Sequence, residues 1–155
     1  MRQDITQIFS LLFLISALAV GKMLADDSVD SDSEKIQGIW RLVYQESAGR
    51  RLPDEKTAEM FHGQMVFTKD KVHYTAELPG FDFEFAYRLN TRQQPPAIDL
   101  KLINVSDKNN IGQSYLGIYH LKGDTLEICY GRTNRPVAFE SHTGSNNNVL
   151  IHLKR

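Results

Sequence analysis

Gly38-Ile39-Trp40-Arg41-Leu42-Val43-Tyr44-Gln45 is the stretch that decides the fold. Trp40, Leu42 and Tyr44 alternate with Ile39, Arg41 and Val43. That is the period-two pattern of a strand with two unlike faces, and it is rich in β-formers. A second such run closes the chain at residues 149–155, where Val149, Ile151, Leu153 and Arg155 share one parity. Between these ends lie more short runs broken by turn residues. Residues 64–68 and 71–77 read as a hairpin across Lys69-Asp70, with Met65 and Phe67 opposite Tyr74 and Val72. The clearest alternation follows, as Phe81, Phe83, Phe85, Tyr87 and Leu89 interleave with Asp82, Glu84, Ala86 and Arg88. Ile98, Leu100 and Leu102 are in phase within 97–105. Residues 113–121 and 125–131 pair across Lys122-Gly123-Asp124, where glycine supplies the positive φ of a hairpin turn.

Strands at this spacing without βα alternation make an all-β antiparallel fold, either a barrel or a sandwich. A barrel is expected, because the last strand carries no proline to blunt an open edge. Arg50-Arg51-Leu52-Pro53-Asp54 is read as a break after the first strand. A short helix follows, with Pro53 and two acids at its start and Gly63 at its stop, and Met60 and Phe61 within it.

Outside this region the chain changes character. Arg2 precedes an apolar run from Ile8 to Val20 and small residues at Ala17, Ala19 and Ala25, the layout of a secretory signal peptide over residues 1–25. The run is too short for a membrane span of roughly 20 apolar residues, so no stable membrane insertion of the mature chain is expected. Residues 26–34 (DDSVDSDSE) are acidic and serine-rich and read as a flexible leader. Residues 35–155 suit a single domain with one core. The expectation is an exported protein, periplasmic or secreted. Cys129 is the sole cysteine, which excludes an intramolecular disulfide. Acids and bases nearly balance, with a formal net charge of −1. No basic cluster is present to neutralise phosphates, so nucleic acid is not an expected partner.

Gly38-x-Trp40 resembles the motif that opens the first strand of lipocalins, in which tryptophan plugs one barrel end and a basic residue of the last strand lies across it. Arg155 has the parity to do so. A wider resemblance is to an uncharacterised lipocalin-like, calycin-type domain family of planctomycete-type bacterial genomes, whose members are small exported proteins. It rests on residues 36–40, Leu52-Pro53, Gly117-Ile118-Tyr119, the run from Gly123 to Tyr130, Arg135-Pro136 with Phe139, and the closing strand. The resemblance implies an eight-stranded antiparallel up-and-down lipocalin-like barrel with one short helix between the first two strands. It brings no established activity.

An eight-stranded barrel is just wide enough to be filled by side chains or to hold one small ligand. Tyrosines are an expensive filling for a dry core, since their hydroxyls need partners. Tyr44, Tyr74, Phe83, Phe85, Tyr115 and Tyr119 are therefore the candidate ligand-binding wall residues, and Trp40 and Arg155 the structural pair. The expected ligand is a small hydrophobic or amphipathic molecule. The competing reading is a protein partner or inhibitor target engaged by the loops at 106–112 and 132–148 around a filled barrel. The five histidines lack metal-site spacing, and Cys129 has no base at motif distance, so the thiol reads as packed. Glu140-Ser141-His142 places acid, hydroxyl and imidazole side by side, but neighbours in an extended chain point opposite ways and cannot relay a proton. No catalytic constellation is recognised, and no cofactor or metal is expected.

Overall fold

A computed structural model describes residues 32–52, 62–77, 82–142 and 147–155. Residues 1–31, most of the expected helix and Phe81 lie outside the described residues. Among the described residues nine strands follow one another: β1 (Gly38–Ser47), β2 (Arg50–Leu52), β3 (Gln64–Phe67), β4 (Lys71–Thr75), β5 (Asp82–Asn90), β6 (Ala97–Val105), β7 (Ser114–Lys122), β8 (Thr125–Gly131) and β9 (Val149–Lys154). From β3 to β9 each strand pairs antiparallel with the next, and β9 returns to β1. The ring that closes has eight strands, and β2 is a short spur on β1. Closure is carried by the β1–β9 register, from Arg41 opposite Lys154 to Ser47 opposite Val149. A sandwich would leave two free borders at these strands, and this ladder pairs them.

Arg50–Leu52 is therefore a strand and not the expected break. Ala48 and Gly49 both take positive φ, 51° and 72°. That is the conformation of a two-residue hairpin turn, and it folds Ser47 back onto Arg50. Gly38 has a φ of 110°, which only glycine adopts without strain, and so the residue opening β1 has no other good choice. Gly123, with φ 55°, makes the β7–β8 turn as expected.

The chain is ordered slightly before the expected domain start. Residues 32–35 form a helical turn, with Ile36 N–H donating to the Asp32 carbonyl at 2.9 Å. Residues 32–34 thus form part of the turn that packs on the barrel end; residues 26–31 of the expected leader lie outside the described residues. Their order has three sources. Ile36 is fully buried, the Trp40 Nε1–H donates to the Ile36 carbonyl at 2.7 Å, and the Tyr119 hydroxyl donates to Asp32 Oδ2 at 2.6 Å.

Inward residues fill most of the ring. Trp40, Val72, Ile98, Leu126, Ile128 and Leu153 are fully buried, and Met65, Phe67 and Leu100 nearly so. Phe67 meets Tyr87 edge to face at 5.3 Å. Outside the wall a smaller cluster of Ile118, Cys129 and Leu150 is covered by Tyr44 and Phe139. Phe139 belongs to the segment 132–142, which runs along the outer face as a strap. Arg135 pins it, donating to Asp99 Oδ1 at 2.6 Å and to the Gly117 carbonyl. Ser141 pins its far end. No helix among the described residues is long and apolar enough to cross a membrane.

Candidate functional site

Strand parity sends Tyr74 of β4, Phe83 and Phe85 of β5, Tyr115 of β7, Tyr130 of β8 and Val149 of β9 into the ring near the end opposite Trp40. There they surround a cavity of about 260 Å³. The rings form a continuous wall. Tyr74 and Phe83 are tilted at 6.3 Å, Phe83 and Phe85 stack at 6.3 Å, and Phe85 meets Tyr115 edge-on at 6.0 Å. Tyr115 in turn meets Tyr130 edge-on at 5.5 Å. Each such pair stabilises its neighbours by about 0.5 to 1.5 kcal/mol beyond area burial, so the wall is largely preformed. The interior is thus solid at the Trp40 end and hollow at this one.

Polar groups gather toward the opening. The Tyr74 hydroxyl donates to Gln45 Oε1 at 3.0 Å. The Tyr115 hydroxyl donates to Gln113 Oε1 at 3.1 Å, and Gln113 donates to Asn110 Oδ1 at 2.7 Å. Asn110 completes the series on Asp107, the cap of the short 3-10 turn Lys108–Asn110. Tyr115 is therefore oriented by the loop 106–113. Arg132 and Asn147 are exposed at the rim. Burial pushes the Tyr74 hydroxyl up to about 12, and burial also raises Tyr130, reinforced by its neighbours Tyr74 and Tyr115. Both stay neutral through any ordinary pH, so the walls carry no charge.

Four of the six candidate wall residues come together here: Tyr74, Phe83, Phe85 and Tyr115. Tyr44 does not. A β-bulge between Leu42 and Tyr44 inserts Val43 as an extra residue against β9, which reverses the phase of everything after it. Tyr44 consequently faces outward, stacked on His152 at 5.1 Å with the Arg51 guanidinium 3.8 Å from its ring centre. Gln45 takes the inward place. Tyr119 faces inward as expected but lies four residues along β7 from Tyr115, about 13 Å at strand rise. It sits in the filled end, bound to Asp32, and burial together with that carboxylate raises its pKa. Among the residues missed, Tyr130 was legible from its shared parity with Leu126 and Ile128. Gln45 was hidden by the bulge, and Arg132 lies beyond the end of β8, where alternation stops.

Other chemistry-bearing groups are occupied elsewhere. Glu127 on the outer face is shared by His152, 3.1 Å away, and His120 at 3.8 Å. His73 meets Asp82 at 2.7 Å. Among the described residues no group of three or more His, Cys, Asp or Glu is placed to hold a metal ion. Glu140 and His142 contact each other at 3.0 Å, while the Ser141 hydroxyl points away, donating to the Asn148 carbonyl at 2.9 Å and accepting from Gly49 N–H at 3.4 Å. The three side chains form no relay. The Cys129 thiol is fully buried and donates to the Glu140 carbonyl at 3.6 Å; burial raises its pKa, so it is held as a neutral thiol. A second cleft of about 260 Å³ lies along the strap, lined by a mixture of Pro136, Val137 and Ala138 with Arg135, Glu140 and His142, outside the ring of strands and without aromatic rings.

Compared with protein-family models, curated proteins and solved structures, the chain matches none.

Proposed function

We propose that this barrel binds a small hydrophobic or amphipathic molecule in the cavity between Tyr74, Phe83, Phe85, Tyr115 and Tyr130. The observation that carries the reading is the contrast between the two barrel ends. Fully buried side chains fill the ring around Trp40, whereas the opposite end keeps about 260 Å³ open behind a wall of rings. An end meant only for stability would be filled, since an apolar void costs contacts and free energy. A few polar groups at the mouth of an apolar recess are the usual composition of a small-molecule site. Such a function suits a lipocalin-like chain exported by residues 1–25.

The test uses purified protein. Thermal shift and native mass spectrometry against lipids, haem, quinones and flavins are expected to show at least one ligand raising Tm and remaining bound. Val149→Trp, which fills the cavity from β9, is expected to abolish that effect. No stabilisation by any class, or stabilisation that survives Val149→Trp, would remove the reading.

The strap supports a second reading, a loop-borne protein contact. Val137 is 88% exposed at its crest while Arg135, Phe139 and Ser141 fix the segment around it. Val137→Asp would weaken such a contact and leave ligand binding untouched.

A further inference from the structure

The charge around the cavity is one-sided. Arg132 directly follows Gly131, the last residue of β8, and stands exposed at the rim with its side chain lining the opening. Three arginines of the barrel are engaged, none of them at the cavity: Arg51 with Glu46 and Tyr44, Arg135 with Asp99, Arg155 with Trp40. Arg132 has no carboxylate partner among the described residues, and the described residues lining the cavity include no aspartate or glutamate. Beside it the amide side chains of Gln45 and Asn147 offer further N–H donors. Tyr74 and Tyr130 remain neutral and so do not oppose an anion.

Resting on the ligand-binding reading above, we propose that the ligand is an organic anion: a flat or short apolar body among the rings, with its carboxylate at the rim against Arg132. Size limits the body. A dry cavity of about 150 Å³ takes benzene, so a space of about 260 Å³ suits about two fused rings or a chain of similar bulk. A guanidinium offers paired N–H donors in a plane that matches a carboxylate, which a lysine would not. The anion would leave its head hydrated on one side, so the gain is that of an exposed pair and depends on salt.

Three probes of one shape separate the possibilities: naphthoate, neutral naphthalenemethanol and cationic naphthylmethylammonium, each titrated calorimetrically into the full chain. Naphthoate is expected to bind about fivefold tighter than the alcohol at low salt, with the ammonium weakest, and the preference to shrink at high salt. Arg132→Gln should bring naphthoate to the affinity of the alcohol and leave the alcohol unchanged. Arg132→Lys should keep part of the preference. Because Arg132 is exposed, near-ultraviolet circular dichroism should show both variants folded. Equal binding of anion and alcohol by the unaltered protein, or a preference that survives Arg132→Gln, overturns the anionic ligand while leaving the cavity as a binding site. Failure of all three probes to bind overturns both.

Discussion

The Arg155 guanidinium carbon lies 4.4 Å from the centre of the Trp40 ring, and the same group donates to the Gln37 carbonyl at 2.6 Å and to the Lys35 carbonyl. The last residue of the chain thus fastens the segment that precedes its first strand, while covering a fully buried indole. Arg155→Ala is expected to lower unfolding free energy by about 1 to 2 kcal/mol, from the lost cation contact and the carbonyls left without it. Arg155→Lys should recover only part, because an ammonium cannot span both carbonyls and the ring. Trp40 is the only tryptophan, so its fluorescence in a urea titration reports the loss directly.

Gly117 sits where the wall has no room for a side chain. A Cβ there would meet the Cys129 carbonyl oxygen and the Ile98 side chain at 3.0 Å and the Ile98 carbonyl at 3.1 Å. Gly117→Ala is expected to cost about 1 to 3 kcal/mol through overpacking and to lower Tm accordingly. A Tm equal to that of the unaltered protein would show that β6, β7 and β8 lie further apart than described.

The tyrosines predict an alkaline limit. Tyr74 is pushed up to about 12 by burial, and burial likewise raises Tyr87, Tyr119 and Tyr130. In the unfolded chain these phenols ionise near 10. Their folded pKa values are higher, so their contribution is fully present below about pH 10 and is lost as pH rises from there through about 12. Absorbance of tyrosinate and circular dichroism, followed together, are expected to change in one step above pH 10, with these hydroxyls ionising as the barrel opens.

Cys129 should behave as an unfolding reporter. Its thiol is fully buried and raised by burial, so a disulfide reagent at mildly alkaline pH is expected to label it only under denaturing conditions. Rapid labelling of the folded protein would contradict the seal that Phe139 and the strap place over that cluster.

Within the cavity, Phe83→Ala and Tyr115→Ala each remove one wall ring and should weaken an aromatic ligand about fivefold, on the order of 1 kcal/mol. Tyr44→Ala should leave affinity unchanged while lowering stability, since that ring stacks on His152 outside the barrel. Calorimetric titration of the three variants checks the assignment of faces.

That last contrast shows where sequence reading succeeds and where it stops. The Phe83-Phe85-Tyr87 alternation and the Gly123-Asp124 turn were legible, because each depends on local period or on local turn chemistry, whereas the meeting of Trp40 with Arg155 followed from the resemblance to lipocalins, with parity only permitting it. Tyr44 was assigned to the wrong face, and Gln45 to none, because one extra residue, Val43, resets the period, and nothing in Leu42-Val43-Tyr44 announces it. The Arg50–Leu52 spur escaped notice for a related reason. Its turn is Ala48-Gly49, and alanine at positive φ is not a residue that advertises a hairpin. The hollow end was open to either outcome, since period two gives which side a ring faces and not whether the rings meet.

With the indole and guanidinium corking one end, the barrel is a cup and not a conduit. Whatever enters past Arg132 and Asn147 must depart by the same lip. For a ligand of the proposed kind, loading and discharge would therefore be rival events at one doorway, and delivery would depend on what stands in front of that doorway rather than on passage through the protein.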